Sequence, residues 1–194
     1  MNTVLSLQSI NKSFAGQPIL KNLNLDVFQG ELLAVLGNSG SGKTTFLRLI
    51  SGFDSADSGV IEIGGRAVFG KGVNVLAEER KVGFVPQDAA LFPHLNVTKN
   101  IEFGIHKMPA AERATRVAEL LKLVDLAGFE ERLPHELSGG QRHRVALARA
   151  LAPKPDLILL DEPFSALDAE LRVRLREDVR KVIAKTGTTA ILVT

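Results

Sequence analysis

The sequence has 194 residues and a mass of 20.9 kDa, and with 45% of its residues hydrophobic it has material for one domain with a real core. Its 24 Lys and Arg against 22 Asp and Glu leave a formal net charge of +2, which demands neither nucleic acid nor any other polyanion, and the absence of Cys excludes disulfides, thiolate metal sites and thiol catalysis. Apolar runs such as Leu157-Ile158-Leu159-Leu160 fall far short of the roughly 18 residues that span a bilayer, and the first residues lack the basic and apolar regions of a signal peptide, so a cytoplasmic setting is expected.

Residues 3–10 and 19–27 alternate in polarity (Val4, Ser6; Leu23, Leu25, Val27) on either side of Ala15-Gly16-Gln17-Pro18, which predicts two strands joined by a turn. Residues 31–36 form a continuous apolar strand that runs into glycines, and residues 43–51 follow with Phe46, Leu47, Leu49 and Ile50 at helical spacing. Two more strands are predicted at Val60-Ile61-Glu62-Ile63 and Val82-Gly83-Phe84-Val85, with a hairpin and a loop in the Gly-rich, charged residues 64–81. Beyond residue 97 the period changes, and residues 110–126 place Ala114, Val117, Leu120, Leu121 and Val124 on one stripe of a mostly helical insert. Another helix is predicted from Ser138 through Val145, Leu147, Ala148 and Leu151, stopped by Pro153 and Pro155. A buried strand at 156–160 follows. The next helix, about 168–185, has Leu171, Leu175, Val179 and Val182 on one side and the i,i+4 pairs Glu170/Arg174 and Glu177/Lys181 on its solvated face. Residues 188–194 are strongly β-forming.

Three segments carry chemistry. Gly37-Asn38-Ser39-Gly40-Ser41-Gly42-Lys43-Thr44 fits G-x-x-x-x-G-K-[ST] between a predicted strand and a predicted helix, the context that a phosphate-binding loop requires. Its glycines let backbone N–H groups wrap phosphates, the helix N-terminus adds positive potential, Lys43 reaches the β/γ-phosphates and Thr44 offers a hydroxyl to Mg²⁺, so the expected ligand is a nucleoside triphosphate. Leu157-Ile158-Leu159-Leu160 then leads an apolar strand into two adjacent carboxylates, Asp161 for Mg²⁺ and Glu162 as general base toward an attacking water. The same pair also suits a helix cap and first-turn acid before Pro163. Finally, Leu137-Ser138-Gly139-Gly140-Gln141 opens a helix as a second anion-binding N-terminus, best explained if it closes over the nucleotide of another subunit, although a plain Ser138 N-cap fits the spacing equally well.

In this order, and along essentially all 194 residues, these motifs resemble the ATP-binding subunits of ABC transporters. Residues 37–45, ending in Thr44 and Thr45, are similar to Walker A. Ser138, Gly139, Gly140 and Gln141 are similar to the signature, which continues through residues 142–151, and residues 157–161 are similar to Walker B with Glu162 as catalytic base. The resemblance implies further roles. Gln87 falls in the Q-loop, which senses Mg²⁺, water and the membrane subunit. Residues 165–168 fall in the D-loop, which meets a partner subunit, and Phe14 matches the aromatic that stacks on adenine, where a core Phe is the alternative. Residues 88–95 look like the importer branch, and residues 79–94 look most like ferric-iron uptake ATPases. A lone His94 beside Pro93 and Leu95 reads as a loop or contact residue and not as a metal ligand. Leu91, Phe92 and Leu95 are read as exposed and suited to receive a short helix of the membrane subunit. Asn38 stands where proline is common in the family, and His143 where glutamine is frequent.

The implied fold is α/β: a P-loop NTPase core with a mostly parallel sheet, an N-terminal antiparallel β subdomain and a helical insert at about 88–136, all within one domain spanning 1–194. The implied cofactors are ATP and Mg²⁺. The implied partners are a second ATP-binding subunit arranged head to tail, integral membrane permease subunits and, indirectly, a solute-binding protein, with no nucleic acid. The implied location is the cytoplasmic face of the inner membrane. Soluble ABC-type ATPases of DNA repair or translation are the competing class, but no sustained heptads separate Lys43 from Leu137 and only one module is present. The family places a γ-phosphate histidine just beyond the strand at 188–193, where this sequence has only Thr194. On that reading the chain is a fragment, incomplete at its C-terminus, that binds ATP weakly and is deficient in hydrolysis.

Overall fold

A computed structural model describes residues 2–163 and 169–194. The contacts divide the chain into two compact units, one of Met1–Phe84, Asp156–Asp161 and Gly187–Thr194, the other of Val85–Pro155 and Glu162–Thr186.

The first unit begins with β1 (Thr3–Phe14) and β2 (Gln17–Phe28), an antiparallel hairpin closed by Ala15 and Gly16. Both turn residues have positive φ, 48° and 79°, the handedness that matches the twist of the flanking strands. β3 (Leu32–Val35) leads into α1 (Lys43–Ser51), and β4 (Ser58–Ile63), β5 (Arg66–Gly70) and β6 (Val73–Asn74) extend the hairpin into a five-stranded sheet of order β2-β1-β4-β5-β6. β7 (Val82–Val85), β8 (Leu157–Asp161) and β9 (Thr189–Val193) join β3 in a four-stranded sheet of order β3-β9-β8-β7, with β9 parallel to both β3 and β8. The expected elements are present, with the predicted 64–81 hairpin formed by β5 and β6. β3 is apolar throughout but not buried. Leu32 and Ala34 are exposed while Leu33 and Val35 are half-buried, because β3 ends the strand order and is not sandwiched like β8, whose five residues are all buried.

One apolar cluster joins the two sheets and α1. It takes Leu5, Leu7 and Ile10 from β1, Phe46, Leu47, Leu49 and Ile50 from α1, and Leu157, Leu159, Ile191 and Val193 from β8 and β9. Each fully buried side chain of this size contributes about 1.5–3 kcal/mol. α1 ends at Gly52, in the left-handed region at φ 84°, whose N–H bonds to Arg48 O. Against that turn lies Arg80, 2% exposed, donating through Nη1 to the carbonyls of Leu49 and Ile50 and through Nε to Val75 O. Its Nη2 bonds to Asn74 Oδ1. A cation thus satisfies carbonyls at the negative end of the helix dipole. Arg80→Met should lower the urea midpoint by the equivalent of about 3 kcal/mol with an unchanged m value, because at least two buried carbonyls lose their donor. A midpoint within error of the wild type would show that water replaces the guanidinium.

The second unit is helical. α2 (Val97–Glu102) is capped by Asn96, whose side chain accepts from Lys99 N at 2.8 Å. α3 (Ala110–Leu123), α4 (Gly139–Leu151) and α5 (Ala169–Thr186) follow. Val117, Leu120, Leu121 and Val124 are buried as the stripe predicted, but Ala114 is exposed, one turn too near the start of α3 to reach the core. Leu91, Phe92 and Leu95 are half-buried and not exposed. The fully buried Asn100 holds their loop, accepting from Phe92 N and donating to the carbonyls of Phe92 and Leu95. Phe92 also packs on Phe103, ring centroids 4.4 Å apart, and Phe103 is the exposed member of that pair.

Candidate functional site

The glycine loop between β3 and α1 is built by local necessity. Gly40 and Gly42 have φ of 79° and 91°, and a Cβ on Gly42 would stand 2.7 Å from Ile19 Cγ2. A Cβ on Gly37 would meet Ser41 Oγ at 2.6 Å. Only glycine lets the chain turn this closely and still start a helix. Gly42 is the N-cap of α1, with no side-chain cap and no acidic residue in the first turn, so the positive end of the helix dipole at the loop is not offset by a local carboxylate and favours an anion. Lys43, itself buried, donates from Nζ to Gly37 O at 2.7 Å and Asn38 O at 3.0 Å, which places the ammonium inside the loop.

The sheet brings the strand-end carboxylate to this loop. Val35 and Asp161 both pair with Val193, so the ends of β3 and β8 lie level on either side of β9. Thr44 Oγ1 consequently donates to Asp161 Oδ1 at 3.2 Å across 117 positions of sequence. Asp161 is the last residue of β8 and not a helix cap, which removes the alternative reading for it. A hydroxyl and a carboxylate beside a phosphate loop are hard oxygen donors of the kind Mg²⁺ takes, one or two from protein and the rest from phosphates and water.

Glu162 begins the next segment, half-buried, with φ at 43°. A non-glycine residue in the left-handed region costs of order 1–3 kcal/mol and is retained where the direction of a side chain matters. Residues 165–168 lie outside the described residues. Phe14, at the end of β1, is 47% exposed and not a core side chain, and Lys12 Nζ sits 4.8 Å from its ring centroid. Lys12 is held there by Asp54 at 3.1 Å and Ser55 O at 2.7 Å.

In the second unit, Ser138 forms a capping box with Gln141. Its Oγ accepts from Gln141 N at 3.2 Å, and its N–H donates to Gln141 Oε1 at 2.8 Å. The Ser138 hydroxyl is therefore engaged as the N-cap that its spacing allowed, but its own proton remains available to an acceptor. Gln87 is exposed in the turn after β7, and His94 is exposed as well. Two consecutive residues of the Gln87 loop, Ala89 and Ala90, have positive φ, and Arg149 of α4 donates to both of their carbonyls at 3.0 and 2.8 Å. In the sequence Arg149 is one more residue of the signature helix. Its only signal there is an arginine on a helix whose residues Val145 to Ala148 are all apolar.

Residues 20–165 match the family model described as ABC transporter. The chain is 45% identical over its full length to an Fe(3+) ions import ATP-binding protein of Haemophilus influenzae and 51% identical over 98% of its length to one of Pseudomonas fluorescens, covering 55% and 54% of those proteins. It is 50% identical over 98% of its length to a sulfate/thiosulfate import ATP-binding protein of Neisseria meningitidis, covering 54% of it. The chain thus spans about half the length of the curated relatives it matches. Among solved structures it resembles an ATP-binding cassette seen as a post-hydrolysis dimer bound to ADP and Pi, at TM-score 0.82 and 33% identity, covering 98% of this chain and 87% of that one. It also resembles cbiO1 of Clostridium perfringens, part of the ABC transporter complex cbiONQ, at TM-score 0.90 and 28% identity, covering 100% of this chain and 79% of that one. With residues 20–165, well over half of the chain, matching this family, the chain belongs to the ABC transporter family.

Proposed function

We propose that the chain is the ATP-binding and ATP-hydrolysing module of an importer, powering the passage of a small inorganic ion, ferric iron, through a separate membrane permease from its cytoplasmic face. The observation that carries the nucleotide part is the Thr44–Asp161 contact at 3.2 Å beside a glycine loop with Lys43 inside it. Iron and sulfate importers among the relatives support inorganic ions as the solute class, and iron is the finer choice.

In this reading the N–H groups of residues 37–45 and the α1 N-terminus bind the phosphates, Lys43 neutralises the β/γ-phosphates and Phe14 stacks on adenine. Thr44, Asp161 and Gln87 would hold Mg²⁺, which when bound supplies charge neutralisation to the phosphates. Glu162 accepts the proton of the attacking water, and Ser138, Gly139, Gly140 and Gln141 close on the γ-phosphate of a second subunit's ATP. The test of the whole is Mg²⁺-ATP-dependent uptake of labelled ferric iron by vesicles holding the subunit and its co-purified permease. Uptake of sulfate but not iron would reassign the solute, and a subunit that retains no membrane protein on purification would overturn the transport reading.

Action of the signature in trans has its own test. Mixing Ser138→Arg with Lys43→Ala subunits should give dimers with one composite site intact in both halves and the other damaged in both. With equal mixing about half of the dimers are mixed and one site in each is intact, so recovery of about a quarter of the ATP sites is expected by counting them in filter binding, and no recoverable site would mean that Ser138 serves its own subunit's nucleotide.

A further inference from the structure

We propose that the second unit holds a separate site for a small amphipathic anion, a carboxylate or sulfonate on a short hydrocarbon body, in the cavity among the C-terminal end of α3, the middle of α4 and the C-terminal half of α5. The cavity has a volume of about 290 Å³, at the small end of the range for ligand sites. Its floor is apolar and buried, formed by Val124, Leu147, Leu175, Val179 and Val182. Such a floor favours a hydrocarbon body over a free inorganic anion.

Charge decides the head group. Arg144 at the wall is already neutralised, paired with Asp178 and with Asp125 at 3.6 Å, so both carboxylates among the described lining residues are engaged. Lys122, Lys181 and Lys185 line the cavity as well, all exposed at the rim. The lining thus carries the four bases Lys122, Arg144, Lys181 and Lys185 against the two carboxylates Asp125 and Asp178, an excess that Glu177, four positions before Lys181, reduces but does not reverse, and the resulting field favours an anion above an apolar surface.

His143 adds a buried polar residue to the wall. It lines the cavity, is 8% exposed, and its buried Nδ1 has no hydrogen-bond partner among the described residues. Burial, and then the positive charge of Arg142, hold its pKa below the usual value, so the ring is neutral near pH 7, with Asp88 opposing in part. A neutral imidazole presents one donor and one acceptor, and a buried one left unmatched costs of order 1–3 kcal/mol.

The test is a titration of the 194-residue chain with octanoate, followed by backbone and imidazole NMR shifts, with octanol and acetate as comparators. No ATP is present, so the result does not depend on the phosphate-loop reading. Saturable shifts at His143, Leu147 and Val179 are expected, with octanoate binding at least about tenfold more tightly than octanol or acetate. Lys181→Glu combined with Lys185→Glu, both at exposed positions, should weaken octanoate at least about tenfold while leaving the far-ultraviolet dichroism unchanged. Binding of octanol as tight as octanoate, indifference to the double charge reversal, or shifts that localise instead to Leu33 and Phe46 in the apolar cavity of the first unit would each overturn the proposal, as would the absence of saturation.

Discussion

Lys43→Ala is expected to weaken ATP binding by at least about a hundredfold, enough to abolish it at ordinary protein concentrations. The ammonium lies within the loop, bonded to the carbonyls of Gly37 and Asn38, and its removal deletes the full positive charge that the proposed site offers to the β/γ-phosphates. Charge-assisted hydrogen bonds are worth about 1.5–3 kcal/mol each, and two lost together account for the size of the effect. The fold should survive, because the α1 residues that enter the core, Phe46, Leu47, Leu49 and Ile50, are untouched. Calorimetric titration with ATP, with dichroism as the check on folding, decides the matter. Undiminished affinity in a folded variant would remove the phosphate-loop assignment.

Glu162→Gln, made in a full-length subunit, should bind ATP normally and hydrolyse it about 10²–10⁴ times more slowly, the usual contribution of a general base. The two side chains have nearly the same shape, and both must adopt the positive φ of 43°, so the backbone strain cancels and the comparison isolates the carboxylate. Asp161 and Thr44 remain in contact in the variant, so Mg²⁺-ATP can still be held. With hydrolysis stalled, ATP should accumulate in a dimer detectable by size-exclusion chromatography. Wild-type phosphate release would place the base on another residue.

Much of the nucleotide site is legible in the amino-acid sequence because its physics is local. A close turn into a helix demands glycine where φ is positive, as at Gly40 and Gly42, and Lys43 reaches carbonyls only five and six positions away. The capping box of Ser138 and Gln141 is equally local, three positions apart, so its spacing can be read directly. Strands and helices follow from periodicity, since burying one face imposes a period of 2 or 3.6 on the residues themselves. The family resemblance rests on these same short motifs and on their order.

Other features have no local signature. The contact between Thr44 and Asp161 exists because β3 and β8 pair in register with the two sides of β9, a relation among three distant segments that no spacing encodes. Arg80 and Arg149 look like ordinary charged residues, yet each is placed by backbone carbonyls that need a donor, those ending α1 and those of Ala89 and Ala90. Which carbonyls are left unpaired depends on where elements stop and what packs over them. For the same reason Phe92 and its neighbours, read as exposed, are half-buried once Asn100 ties down their loop. Composition, motif and period thus determined the elements and the glycine loop by themselves, whereas the register of parallel strands and the satisfaction of orphaned backbone groups, which are long-range hydrogen-bonding constraints, were decided only when the chain folded.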